Sequence, residues 1–208
     1  MTEGHNQTGY QETRSMYVNS DADPDHPGNL ILFYCRHSVN GTWDYGTTYD
    51  REHVWPQSLG GFGTSGAGAD LHHLRPTSPT CNSTRGNKPF ANIRGTGVSY
   101  TTLKTTIDGT AYTGGYYTDK YFEPLDEVKG DVARILFYLV TRYSDLETRF
   151  SQSSTSPVKG CSYELLLEWN ELDPVDDLER NRNEYVYSVQ NNRNAFIDNP
   201  EFANMIWG

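Results

Sequence analysis

"YDREHVWP", residues 49–56, places Glu52 directly beside His53 and reaches Pro56 three residues later. In an extended strand, neighbouring side chains point to opposite faces. An acid and an imidazole at adjacent positions therefore serve one site only where the strand ends or twists. Pro56 has no amide hydrogen to give to a ladder, so an ending is expected here. Taken alone, a Glu-His pair is most often solvated on a surface strand. The rest of the chain must supply its partners.

"DLHHLRPTSPTCNSTRGN", residues 70–87, supplies them. "DLHHLRP" reads as a short strand ending at Pro76. On such a strand His72 and His73 face opposite ways, so at most one of them looks into a site. Ser78 then suits a helix cap, Pro79 the first helical position and Gly86 the end. Asn82 and Arg85, three apart on that helix, share a face. The intervening "SLGGFGTSGAGA", residues 58–69, is a glycine-rich loop. Strand, loop, strand and helix thus converge a carboxylate, an amide oxygen, imidazoles and a guanidinium.

Those groups suit phosphodiester hydrolysis. Neutral imidazole accepts a proton from attacking water near neutral pH. A hard divalent cation stabilises charge on the phosphoryl and leaving oxygens. Magnesium prefers oxygen donors and keeps several waters, so Glu52 and the Asn82 carbonyl oxygen form an adequate set. A guanidinium holds a second phosphate oxygen. The competing reading is a structural zinc module, or a nucleic-acid-binding module without turnover. The zinc ligands would be His72 or His73, Cys81 and one more Cys or His, but no C-x-x-C knuckle is present.

"REHVWP" followed by "DLHHLRPTSPTCNSTRGN" resembles the bacterial endonuclease I family of non-specific nucleases. "WNELDPVDDLERNRN" (169–183) and "QNNRNAFIDNPEFANMIW" (190–207) are similar to that family's closing helices, so the likeness spans about residues 30–207. It implies an α+β fold with a ββα-metal (His-Me finger) core. It implies His53 as general base and Glu52 and Asn82 as ligands of magnesium, or else calcium or manganese. It also implies DNA or RNA as substrate, 5′-phosphate products and a secreted or periplasmic location. Two departures stand out. Some members carry asparagine where His73 stands, so His72 and His73 are assigned at most an ordering role. Members also have a phosphate-holding arginine in the insert, whereas residues 57–69 here contain no Arg or Lys. Arg85 is then expected to act on phosphate at the catalytic centre, with Arg75, Asn87 and Lys88 binding substrate.

The net charge of −10 argues against a surface that coats nucleic acid generally. Residues 71–107, however, contain no Asp or Glu and carry Arg75, Arg85, Lys88, Arg94 and Lys104. That stretch is a candidate anion-binding face; the alternative is a basic loop that pairs with acids elsewhere. Hydrophobic content is only 35% and tyrosines number 15, so aromatic rings are expected to fill much of the core. No apolar run approaches the roughly 18 residues a membrane span needs. The start lacks a basic region followed by an apolar one, which leaves a cytosolic protein or a trimmed signal. Cys35, Cys81 and Cys161 allow one disulfide and a thiol, or three thiols.

The flanking sequence sets the frame. Residues 1–28 are polar with a turn cluster, and "NLILFYCRHS" (29–38) is a buried strand or short helix. Asn40-Gly41 signals a hairpin, and 91–122 holds short strands. Residues 126–146 repeat apolar side chains at 128, 132, 135, 136, 139, 140 and 143, the spacing of a helix with one buried face. Helices follow at 163–172, at 173–193 with Asp173 as cap, and at 200–207. The expected whole is one monomeric domain, 1–208, with a catalytic core at about 45–90 and a helical half at about 124–207.

Overall fold

The structure, a computed structural model, describes residues 4–143, 145–146 and 161–208. The remainder of the expected helical half, 144 and 147–160, lies outside these. The fold is α+β. It opens with a helix α1 (Thr13–Ser20), where the polar sequence carried no helical signal. Strands β1 (Asn29–Ile31) and β2 (Ser38–Asn40) pair antiparallel, Leu30 opposite Val39. Their connection is therefore residues 32–37. The hairpin signal at Asn40-Gly41 forms no turn between strands, and Gly41 N instead donates to Gly28 O at 2.9 Å.

The next segment builds the site. Strand β3 (Asp50–His53) pairs antiparallel with β4 (Leu74–Thr77), Glu52 opposite Arg75 and His53 opposite Leu74. A short α2 (Gln57–Gly60) and a 3-10 turn (Gly66–Ala69) lie between them. β4 starts later than the sequence pattern implied, because Asp70 turns the chain first. Its side chain accepts from His72 N at 2.9 Å, and its carbonyl accepts from His73 N at 3.0 Å and Leu74 N at 2.9 Å. With those amides used, His72 and His73 sit in a turn rather than in a ladder. Helix α3 (Pro79–Arg85) then forms as its punctuation requires. Ser78 Oγ accepts from Cys81 N at 3.2 Å, and Gly86 closes the helix at φ +53.

α3 packs between β3 and a second sheet of β5 (Thr101–Ile107), β6 (Thr110–Tyr117) and β7 (Phe122–Glu123). β6 comes so near that a Cβ on Gly114 would stand 2.4 Å from Cys81 Sγ. Cys35 and Cys81 are buried and unbridged.

Helix α4 (Asp126–Arg142) is the central element. Every residue from Val128 to Val140 is buried, so the helix has no solvent face along that length. The expectation of a single buried face gives way because layers cover it all round. α5 (Tyr163–Leu172) and α7 (Ala195–Asp198) both pack on it. Its interior charges are accordingly paired: Lys129 Nζ with Glu123 at 2.8 Å, Arg134 Nε with Glu179 at 2.8 Å, and Asp131 with Arg36. Helix α6 (Asp177–Gln190) is capped by Asp176, whose Oδ1 accepts from Glu179 N at 2.8 Å, and not by Asp173. α8 (Phe202–Trp207) closes the chain. As the composition implied, the main core is rich in rings, among them Phe33, Tyr34, Phe90, Phe122, Phe137, Tyr138 and Trp169.

Asp21, fully enclosed, joins three elements. Its Oδ1 accepts from Arg75 Nε of β4 at 3.0 Å and its Oδ2 from Arg182 Nη1 of α6 at 2.6 Å. Asp21→Ala would leave two guanidiniums buried side by side. Urea denaturation should show a loss of about 3–5 kcal/mol in unfolding free energy.

Candidate active site

His53 ends β3, where the strand gives way to a turn at Val54 and Trp55. The strand thus ends three residues before Pro56, as the proline implied, with Glu52 set against Tyr34 and Arg85 and His53 against Gly68. His53 Nε2 lies 3.0 Å from Gly68 O. A carbonyl only accepts, so Nε2 carries the hydrogen, and in neutral imidazole Nδ1 is then the bare acceptor. No described group bonds Nδ1. Burial pushes the His53 pKa below its usual 6.5, the Gly68 carbonyl opposing. The ring is therefore held neutral with a basic nitrogen open.

Gly68 is where only glycine fits. A Cβ there would lie 1.9 Å from the Gly63 carbonyl oxygen. The preceding carbonyl, Ala67 O, accepts from His73 Nδ1 at 2.7 Å, while Trp55 N donates to His73 Nε2 at 2.9 Å. His73 is fully buried, burial pushes its pKa to about 3, and its ring stands edge-on to His53 at 5.3 Å. It ties the turn at 66–69 to the end of β3. His72 faces the other way, its Nε2 3.1 Å from Asn192 O and its ring against Tyr138, with its pKa pushed by burial to about 4. It belongs to the core. Beneath both, Gln190 at the end of α6 accepts from Leu71 N at 2.7 Å and donates to Asp70 Oδ1 at 2.9 Å.

Glu52 is 2% exposed. Oε1 accepts from Tyr34 OH at 2.6 Å, and Arg85 Nε lies 3.5 Å away. Oε2 accepts from no described group. Burial pushes Glu52 up to about 7 against the pull of Arg85 and Tyr34. A cation beside Oε2 would favour the ionised form. Asn82 on α3 donates its Nδ2 to Arg51 O, the carbonyl just before Glu52, at 3.3 Å. Its amide nitrogen is thus engaged and its Oδ1 left over. Glu52 Oε2 on β3 and Asn82 Oδ1 on α3, neither bonded to a described group, are hard oxygen atoms of the kind that suits a divalent cation keeping its waters. They do not fit a zinc cage. Among the described residues no group of three His, Cys, Asp or Glu stands where a metal could be held, and both nitrogens of His73 and Nε2 of His72 face backbone groups.

The expected phosphate groups fare differently. Arg85 is 1% exposed. Its Nη2 donates to Val54 O at 2.6 Å, its Nη1 to Gly86 O at 3.0 Å, and its guanidinium lies 4.5 Å over the Phe90 ring. It lies against Glu52 and the end of β3, enclosed rather than open to solvent as the expected phosphate contact would need. Arg75, expected to bind substrate, is enclosed with Asp21. Arg94 pairs with Glu123 and Asp126. The basic stretch is therefore largely matched by acids from elsewhere, the second of the two sequence readings. Asn87 is exposed and Lys88 half-buried just past α3, Lys88 Nζ donating to Thr84 O at 2.7 Å.

Sequence reasoning missed Tyr34, hidden in an apolar run that read as core. It also missed Arg51, Phe62 and Tyr10, which surround His53. Gly68 was legible only as one glycine among several, although glycine itself marks close backbone approach.

Comparison with known proteins gives a consistent picture. The family model for Endonuclease I matches residues 1–201. An extracellular ribonuclease of Bacillus subtilis (strain 168) is 43% identical over 217 aligned positions, covering 98% of this chain and 70% of that protein. The extracellular ribonuclease of Bacillus amyloliquefaciens is 42% identical with the same coverage. An Endonuclease-1 of Buchnera aphidicola subsp. Acyrthosiphon pisum (strain APS) is 22% identical over 129 positions, 62% of this chain and 44% of that protein.

For a histidine whose folded pKa lies below its unfolded value, the neutral form persists down to the folded pKa. Nitrogen-15 NMR at about pH 5.5 should show His73 neutral with its hydrogen on Nδ1, where an unperturbed imidazole is mostly charged. An imidazolium signal from His73 would refute this geometry.

Proposed function

Because this chain belongs to the endonuclease I family, and is accordingly a nuclease acting on nucleic acid, we propose that it is a divalent-cation-dependent, sequence-non-specific endonuclease with His53 as general base. The observation that carries the reading is the His53–Gly68 hydrogen bond. It leaves Nδ1 as the acceptor, on a neutral ring one residue from Glu52.

We read β3, β4 and α3 as the ββα-metal core of the family. His53 Nδ1 takes a proton from the attacking water. His53 then becomes an imidazolium whose Nε2–H already points at a carbonyl, so the ring need not turn as it charges. Glu52 Oε2 and Asn82 Oδ1 would hold magnesium, or calcium or manganese in its place. Such a cation, when bound, neutralises charge growing on the phosphoryl and leaving oxygens. Tyr34 and Arg85 keep Glu52 from rotating. Asn87 and Lys88, past α3, are the groups left to meet the substrate backbone, since Arg75 and Arg85 are enclosed.

Departure of the 3′-oxygen leaves a 5′-phosphate and needs no 2′-hydroxyl, so DNA and RNA both fit the chemistry. The names of the two Bacillus relatives favour RNA among the substrates and export as the destination. No helix among the described residues is long and apolar enough to cross a membrane.

Purified protein should cleave single- and double-stranded DNA and RNA with magnesium, stop on EDTA and resume on added magnesium. His53→Ala should lower cleavage by about 10²–10⁴-fold while circular dichroism stays native. A folded His53→Ala protein with undiminished turnover would overturn the assignment of the base. EDTA-resistant cleavage would overturn that of the cation.

A further inference from the structure

The segment ahead of α1 lies against the site. Gln7 Oε1 accepts from Gly66 N at 3.0 Å, and Thr8 Oγ1 donates to Ala69 O at 2.8 Å. These bonds grip the turn that presents Gly68 O, one at each end. Two residues further, the Tyr10 ring lies nearly parallel to the His53 imidazole, centroids 5.7 Å apart and planes 13° apart. Arg51, two residues before His53 and so on the same strand face, sets its guanidinium carbon 3.9 Å from the Tyr10 ring centre. Arg51 Nη1 also donates to Tyr10 O at 2.8 Å.

A hydrogen bond at one ring nitrogen leaves the imidazole free to swing about the Nε2–oxygen axis, and the terminal torsion of histidine is broad. Something flat must set the plane. Phe62 is tilted by 43° and His73 stands at 64° to His53. Tyr10 is the parallel neighbour. We propose that Tyr10 is a positioning residue for the general base: its ring sets the plane of His53 and is itself held in place by the Arg51 guanidinium. The proposal rests on the reading of His53 as base. The cation–π contact supplies the hold on the ring. The Tyr10 hydroxyl makes no hydrogen bond to a described group, so the ring and not the oxygen does the positioning.

The test is turnover on a fluorogenic oligonucleotide with magnesium, for Tyr10→Ala, Tyr10→Leu and Tyr10→Phe, each alone and combined with His53→Ala. Tyr10→Ala and Tyr10→Leu should lower kcat roughly tenfold with KM within about twofold. Tyr10→Phe should restore kcat. In the His53→Ala background the loss on Tyr10→Ala should vanish, because the group being positioned is gone. Should Tyr10→Ala fail to fold, Tyr10→Leu, which fills the space without a planar ring, gives the same reading. Unchanged kcat in Tyr10→Leu overturns the proposal. So does a loss that persists in full without His53, which would assign Tyr10 to substrate stacking, and so does a Tyr10→Phe protein as slow as Tyr10→Leu. The base assignment fails separately, on undiminished turnover by His53→Ala alone.

Discussion

Two adjacent carbonyls, those of Ala67 and Gly68, are each taken by an imidazole, and the site depends on that double grip. His73 holds the first and is kept neutral by burial; His53 holds the second and is left with one open nitrogen. The two bonds are not interchangeable. His73 has both nitrogens occupied and never meets solvent, so it serves as a fixed strut. His53 has one nitrogen occupied and is half-buried, so it can exchange a proton. What leaves one histidine fully tied and its neighbour with an open nitrogen is the count of partners, not the residue type.

Glu52 shows the complementary economy of charge. A carboxylate at 2% exposure is costly unless matched. Arg85 and Tyr34 match one oxygen only, and burial still raises its pKa. Its second oxygen is bonded by no described group. Elsewhere buried charges meet partners on both sides: Arg75 and Arg182 share Asp21, Arg134 pairs with Glu179 and Lys129 with Glu123.

Where the chain's punctuation is local, its structure was legible. Ser78, Pro79 and Gly86 delimit α3 because caps act within a single turn. Residues 163–172 match α5 to the residue. Legibility failed where distant groups decide. Asp70 holds His72 and His73 out of a strand with bonds no periodicity reveals, and it is itself held by Tyr138 at 2.6 Å and Gln190. Asp176 and not Asp173 caps α6, since both fit the local pattern and only packing chooses. Arg85 reads as a phosphate clamp from its helix face, yet the same face turns inward on Glu52. The strand end ahead of Pro56 was implied by adjacency, and the reach of Asn82 to β3 by the order of strand, strand and helix. The parallel Tyr10 ring was not, for it comes from 43 positions away, at the other end of a polar stretch without pattern.

Gln190 bonds Leu71 and Asp70, and Thr8 bonds both Gln190 and Ala69. A ribosome delivers Glu52 and His53 more than a hundred positions before it delivers the Gln190 amide that fastens the neighbouring loop. A nascent chain thus carries Glu52, His53 and Asn82 while the fastening by Gln190 is still unmade, and such long-range closure is slow to form.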